Sequence, residues 1–132
     1  MGLDRTFYAQ VDEDAPEEVG FFTWDITDNT LYADGALAAL FGLEAADTAN
    51  GLPIEGYLKR VHPEDRPRLA KTIRDSIVAN RPQQETYRVR DVRGNYTSVT
   101  GYGRGFPRLN GDTVRYVGVV VPAERTEAKL FH

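Results

Sequence analysis

Between Gln83 and Val121 the chain alternates apolar and polar residues with a period of two, and no other feature restricts the fold as much. "QETYRVRDV" (84–92) turns at Arg93-Gly94-Asn95 into "YTSVTGYGRGF" (96–106), and "RLNGD" (108–112) turns into "TVRYVGVVV" (113–121). Runs of this kind, joined by glycine-containing turns, predict three consecutive strands in an antiparallel meander. A meander has an apolar face that something else must cover. The first 82 residues have to supply that cover.

They read as a hairpin followed by helices. "VGFFTWDI" (19–26) is rich in aromatic and branched residues, "TDN" (27–29) is a turn, and "TLYAD" (30–34) is a second short strand. Asp34 is placed to cap "GALAALF" (35–41), with Gly42 closing that helix in the left-handed conformation. Leu37, Leu40 and Phe41 then share one face. After a polar loop, Ile54, Tyr57, Leu58 and Val61 follow the i, i+3, i+4, i+7 pattern of a second short helix. The longest helix is expected over Asp65–Asn80, with Leu69, Ile73 and Ile77 inward and Arg66, Lys71, Arg74 and Asp75 in water. The order β-β-α-α-α-β-β-β predicts an α+β fold, a five-stranded antiparallel sheet with its helices packed on one face.

With 132 residues and 41% apolar content, one core is the simplest arrangement. We expect an arm or helix over 1–18, the domain over 19–122 and a tail over 123–132. The chain has no cysteine, which excludes disulfides, thiolate metal sites and a cysteine nucleophile. No run of 18 apolar residues is present, and "MGLDRTFYAQ" has no basic stretch leading into an apolar one, so a soluble cytoplasmic protein away from membranes is expected. The net charge of −4 is unevenly spread: residues 1–18 carry six acids against one base, and residues 59–115 carry thirteen bases against six acids. A basic middle can meet nucleic acid, but alternating arginines more simply solvate the outer side of strands and a helix.

"RVHPEDR" (60–66) sets the one internal histidine beside two carboxylates. Zinc wants three or four ligands, and the only other histidine is His132. Pro63 suits a helix opening, Glu64 and Asp65 complement the helix N-terminus, and Asp65 is the expected N-cap. The stretch is read as structural punctuation, with no metal site and no catalytic residue.

In order and spacing, "GFFTWDI", "LYAD…LAALFGL", "VHPEDR…L…I…I", "YRVRDVRGNY" and "VRYVGVVV" resemble the PAS sensor domains, in the branch marked by a Val-His-Pro-acid-Asp-Arg helix start. The similarity spans about residues 19–122. It implies a non-enzymatic sensory and protein-interaction module of signal transduction, dimerising in many members and in some holding a small molecule, haem or flavin between sheet and helices. Lacking cysteine, this chain can form no cysteinyl–flavin adduct, and residues 66–80 contain no proximal histidine for haem. Where family members often carry Trp in the penultimate strand, this chain has Ser98, and Gly101, Gly103 and Gly105 follow on one alternating face, which predicts a cavity or a close backbone approach. No kinase, cyclase or DNA-binding output fits in the chain. A signalling partner, or an output domain in a longer chain, is therefore expected.

The residues expected around a ligand are Leu37, Leu40, Phe41, Tyr57, Leu58, Leu69 and Ile73 from the helices. Trp24, Tyr87, Val99 and Val117 are added from a strand set that also holds Phe22, Val89 and Tyr116. Phe7, Tyr8 and Val11 have no evident place in the core and are expected at a homodimer interface. Two other functions compete. A cone-shaped isomerase-like α+β enzyme would show a carboxylate with a raised pKa in a cavity. An Arg-rich nucleic-acid-binding domain would show Tyr87, Tyr96, Tyr102 and Phe106 as one stacking platform.

Overall fold

The aromatic run Gly20–Asp25 forms β1, and a turn through Asn29, left-handed at φ 50°, returns the chain as β2 (Thr30–Ala33). This computed structural model describes residues 19–123. Four helices follow: α1 (Gly35–Leu40), α2 (Ala45–Asn50), α3 (Ile54–Leu58) and α4 (Arg66–Ala79). The meander then supplies β3 (Gln83–Arg90), β4 (Tyr96–Pro107) and β5 (Thr113–Pro122). The sheet runs β2-β1-β5-β4-β3, antiparallel throughout, so the N-terminal hairpin joins the meander along β5.

Pairing keeps registered partners on the same face. Trp24 opposite Tyr116, Gly20 opposite Val120, Gly101 opposite Val120 and Tyr87 opposite Val99 therefore define an inner face. Against it pack Leu37 and Phe41, Tyr57, and Leu69, in one core with Leu31, Val61 and Val89. Burial of this face is the main favourable term, at roughly 25 cal/mol per Å² of apolar area.

Both sheet edges are covered by the intervening chain. Leu52 exchanges two backbone hydrogen bonds with Leu31 on β2, at 2.7 and 3.0 Å. On β3, His62 N donates to Arg88 O at 2.9 Å and Arg90 N donates to Arg60 O at 2.8 Å. Strand edges satisfied in this way do not offer themselves to another chain.

Three readings of the sequence need correction. The polar loop after Gly42 contains α2, whose inward residue is Thr48, fully buried with its hydroxyl donating to Ala45 O at 3.2 Å. A six-residue helix that buries a threonine has no apolar periodicity to detect. Asp65 stands at the N-cap position of α4 but its side chain makes no cap bond. It is turned to Arg88 on β3 instead. Arg66, assigned to water, donates from Nε to Val61 O and from Nη2 to Lys59 O, both at 2.8 Å, satisfying two carbonyls of the turn that follows α3. The other caps match the sequence: Leu37 N donates to Asp34 Oδ1 at 3.0 Å, Gly42 has φ +65°, and Asn80 ends α4 at φ 53°.

Candidate ligand cavity

The glycine face of β4 is occupied by tyrosines. A Cβ on Gly103 would lie 2.5 Å from Tyr116 Cε1, and one on Gly101 would lie 3.3 Å from the Tyr87 hydroxyl. The two rings lie across the strand where bulk is missing. The predicted close approach is thus made by side chains from β3 and β5, and it leaves a cavity of about 60 Å³ between sheet and helices, with Gly101 in its wall.

Of the residues expected there, Trp24, Leu37, Phe41, Tyr57, Leu58, Leu69, Ile73 and Tyr87 line this space together. Leu40 is half-buried and packs on the core from outside the cavity wall. Val99 is fully buried on the inner face without reaching the cavity. Val117 is on the outer face, in a shallow surface groove with Tyr102 and Val119. Its neighbour Tyr116 takes the inner position, because adjacent strand residues cannot share a face. Phe22 and Tyr116, held in the wider strand set, and Gly101, flagged as a place where bulk is missing, also line the cavity; Leu31, Ile54, Val61, Gln83 and Val120 line it without having been singled out for it. Period-two counting from Tyr87 through the β3–β4–β5 register finds Tyr116 and Val120. Phe7, Tyr8 and Val11 fall outside the described residues.

Aromatic rings frame the space. Phe22 stacks near Tyr116 at 6.3 Å between centroids, Trp24 meets the same ring edge-on at 6.4 Å, and Phe41 meets Tyr57 at 6.1 Å and Tyr87 at 6.4 Å. Asn29 fixes the Trp24 side: its Oδ1 accepts from Trp24 Nε1 at 3.0 Å and from Ile54 N at 3.3 Å, tying the hairpin turn to α3. The tyrosines stay neutral. Burial pushes Tyr57 up to about 12 and raises Tyr87, with Tyr116 adding to the Tyr87 shift. Burial raises Tyr116 too, opposed by the nearby Ser76 and Gln83 side chains.

The three hydroxyls differ in one respect that predicts opposite mutational effects. Tyr57 OH donates to Leu31 O at 2.8 Å, whereas Tyr116 OH is buried without a hydrogen-bond partner among the described residues. Tyr57→Phe removes one of the two hydrogen bonds to Leu31 O, which keeps the bond from Leu52 N, and is expected to cost up to about 1 kcal/mol. Tyr116→Phe removes an unpaired hydroxyl and is expected to leave stability unchanged or raise it by up to about 1 kcal/mol. Urea denaturation of both variants checks the pair; an equal loss in each would contradict the assignment.

No charged side chain lines the cavity. The raised-pKa carboxylate that an isomerase-like site needs is not among its walls, and the carboxylate with the strongest shift, Asp65, is lowered by the Arg88 guanidinium. Among the described residues no group of three or more His, Asp or Glu could hold a metal ion. His62 has a local role: its Nδ1 accepts from Glu64 N at 3.1 Å, and its ring lies 4.7 Å from that of Tyr96. Several arginines of the basic middle are engaged internally. Arg60 donates to Phe41 O, Arg90 O and Asp91 O, and Arg68 and Arg88 pair with Glu85 and Asp65. Tyr87 points inward, so the imagined stacking platform with Tyr96, Tyr102 and Phe106 is not assembled. Among the described residues no helix is long and apolar enough to cross a membrane.

Flavin and haem do not fit this space. Pockets for ligands of ordinary drug size are about 300–1,000 Å³, several times the volume between these walls, and neither cysteine nor an α4 histidine is present.

The profile of the PAS fold family matches residues 30–120. No curated protein sequence matches the chain. Solved structures of similar fold include the N-terminal domain of a diguanylate cyclase with a PAS/PAC sensor from Marinobacter aquaeolei (TM-score 0.73, 14% identity, covering 83% of this chain and 99% of that one). A sensory box histidine kinase/response regulator from Burkholderia thailandensis E264 is similar at TM-score 0.70 and 20% identity, covering 94% of this chain and 91% of that one. The Drosophila melanogaster Cycle PAS-B domain with bound ethylene glycol aligns at TM-score 0.61 and 13% identity, over 77% of this chain and 98% of that one. The chain belongs to the PAS fold family.

Proposed function

We propose that this PAS domain acts without catalysing a reaction, as a cytoplasmic module that holds a small molecule in the cavity and passes the binding event on through protein contacts. The observation that carries the reading is a cavity between α4 and the sheet with uncharged walls throughout. Ligand entry there would act on both layers at once, since Leu69 and Ile73 of α4 and Tyr116 and Val120 of β5 meet across it. The Cycle PAS-B structure with ethylene glycol is a precedent of fold for a ligand of this size. The contacts we assign to signalling are a homodimer involving Phe7, Tyr8 and Val11, and a partner protein or an output domain like those of the cyclase and kinase neighbours.

Native mass spectrometry of the protein purified from its own host tests both parts. The proposal expects a dimer carrying a small-molecule adduct, and a lower dimer fraction once residues 2–18 are removed. A bare monomer, or equal sedimentation of full-length and truncated chains, would count against it.

A further inference from the structure

The cavity has one polar end, and its geometry goes further than the presence of a ligand. Gln83 opens β3 opposite Gly103, and Tyr116 on β5 is opposite Gly105. Because Gly103 has no side chain, the Tyr116 ring reaches across β4 toward Gln83. Tyr116 is 1% exposed, and although the Ser76 and Gln83 side chains lie near enough to oppose its pKa shift, neither its hydroxyl nor Gln83 Oε1 completes a well-aligned hydrogen bond among the described residues. Buried polar atoms are normally paired, and an unpaired couple on a cavity wall is where a guest would complete them. The other candidates are already committed: Tyr57 OH to Leu31 O and Ser76 Oγ to Arg81 O.

The two free atoms differ in kind. A phenol donates or accepts, and an amide oxygen only accepts. A guest hydroxyl, which both donates and accepts, satisfies both atoms with one group, accepting from Tyr116 and donating to Gln83. With no charged side chain in the wall, an ammonium or carboxylate would be left without a counter-charge. The volume of about 60 Å³ holds several water-sized units and no more, since one water needs roughly 10–15 Å³. That corresponds to roughly four or five non-hydrogen atoms.

Resting on the reading that the cavity holds a ligand, we propose that its ligand class is a small neutral alcohol, its hydroxyl set between Tyr116 and Gln83 and its apolar part against Leu37, Phe41 and Leu69. Selectivity comes from the polar pair and from the absence of charge. Affinity is limited by size: a four-atom ligand binds no tighter than roughly 40 µM, and the millimolar range is expected.

Three probes of the same shape separate the contributions: propan-2-ol, isobutane and isopropylammonium, which differ only in hydroxyl, methyl or ammonium. Each is titrated into the ¹⁵N-labelled full chain while the amide signals of Gln83, Gly101 and Tyr116 are followed. Propan-2-ol is expected to give saturable shifts there, weakened about tenfold by Tyr116→Phe and several-fold by Gln83→Met. Isobutane binding is expected to be unchanged by either substitution, and isopropylammonium to give no saturable shift. If isobutane binds but propan-2-ol is indifferent to both substitutions, the alcohol assignment is overturned and the cavity reading stands. Isopropylammonium binding as tightly as propan-2-ol would also overturn it. If none of the three gives a saturable shift, the ligand-holding reading falls with it.

Discussion

Asp65→Ala is expected to lower the stability of the domain by about 3 kcal/mol and its melting temperature by roughly 10–15 °C. Asp65 is 6% exposed and receives three hydrogen bonds from one residue: Arg88 N at 2.9 Å and Nε at 3.0 Å to Oδ2, and Nη2 at 2.9 Å to Oδ1. Arg68 adds a longer ion pair at 3.4 Å. Breaking a buried pair costs about 3–5 kcal/mol because the surviving partner is left uncompensated. The lower figure applies because the Arg88 side chain keeps 40% of its surface in water and its Nη2 also donates to Glu64 Oε1 at 3.2 Å, so it is not left without a counter-charge. The bond joins the start of α4 to the middle of β3, so its loss loosens the wall of the cavity rather than a loop. In a double-mutant cycle, Asp65→Ala with Arg88→Met should cost clearly less than the sum of the two single changes.

The same pair fixes a pH dependence. The Arg88 side chain, first of all, holds the Asp65 carboxyl well below the ordinary carboxylate range; burial opposes this, and the Arg88 backbone N–H reinforces it. A folded-state pKa lower than the unfolded one stabilises the fold above the unfolded value of about 3.9. That contribution erodes as pH falls through the carboxylate range toward the lower folded value. Denaturation curves of wild type and Asp65→Asn should differ most at neutral pH and converge in strong acid. A constant gap at all pH values would show that Asp65 acts through shape and not charge.

Gly118→Ala is the second large effect, about 3 kcal/mol or more, with loss of folded protein at 37 °C. A Cβ there would fall on the Tyr102 carbonyl oxygen, with Phe22 Cζ 2.7 Å away and Gly103 Cα 2.9 Å away. Two of these three are backbone atoms of β4, the strand that Gly118 itself pairs with. Relief requires the β4–β5 ladder to separate. Gly101→Ala provides the contrast, since its nearest neighbour is the end of the Tyr87 side chain at 3.3 Å, and a change under about 1 kcal/mol is expected. Circular dichroism and thermal melts of both variants check this; a well-folded Gly118→Ala would contradict the packing described for the sheet centre.

How far these features could be read from the sequence varies with their range. Strands and the caps Asp34, Gly42 and Asn80 are local signals: the aromatic and branched runs place β1 and β2, and the period of two places β3, β4 and β5, each to within about two residues. Helix α2 was not legible because its buried residue is Thr48, which carries no hydrophobic signal. The role of Asp65 was not legible either: carboxylate and guanidinium are 23 positions apart, and only the fold brings them together. For the cavity, spacing placed most of the helical contributors but included Leu40, which packs outside the wall, and missed Ile54, and the strand contributors depended on parity. Val117 and Tyr116 are neighbours, and register with Gly103 and Gly105 decides which of them faces inward. The glycines were the visible half of that pattern and the tyrosines the half hidden by distance in sequence.

Diffraction from crystals of the full chain pressurised with xenon is the sharpest test of the interior described here. The account predicts one xenon site bounded by Leu37, Tyr57, Leu69 and Tyr116, between the rod of α4 and the sheet. Crystals showing those four side chains closed on one another, with xenon bound elsewhere or not at all, would contradict it.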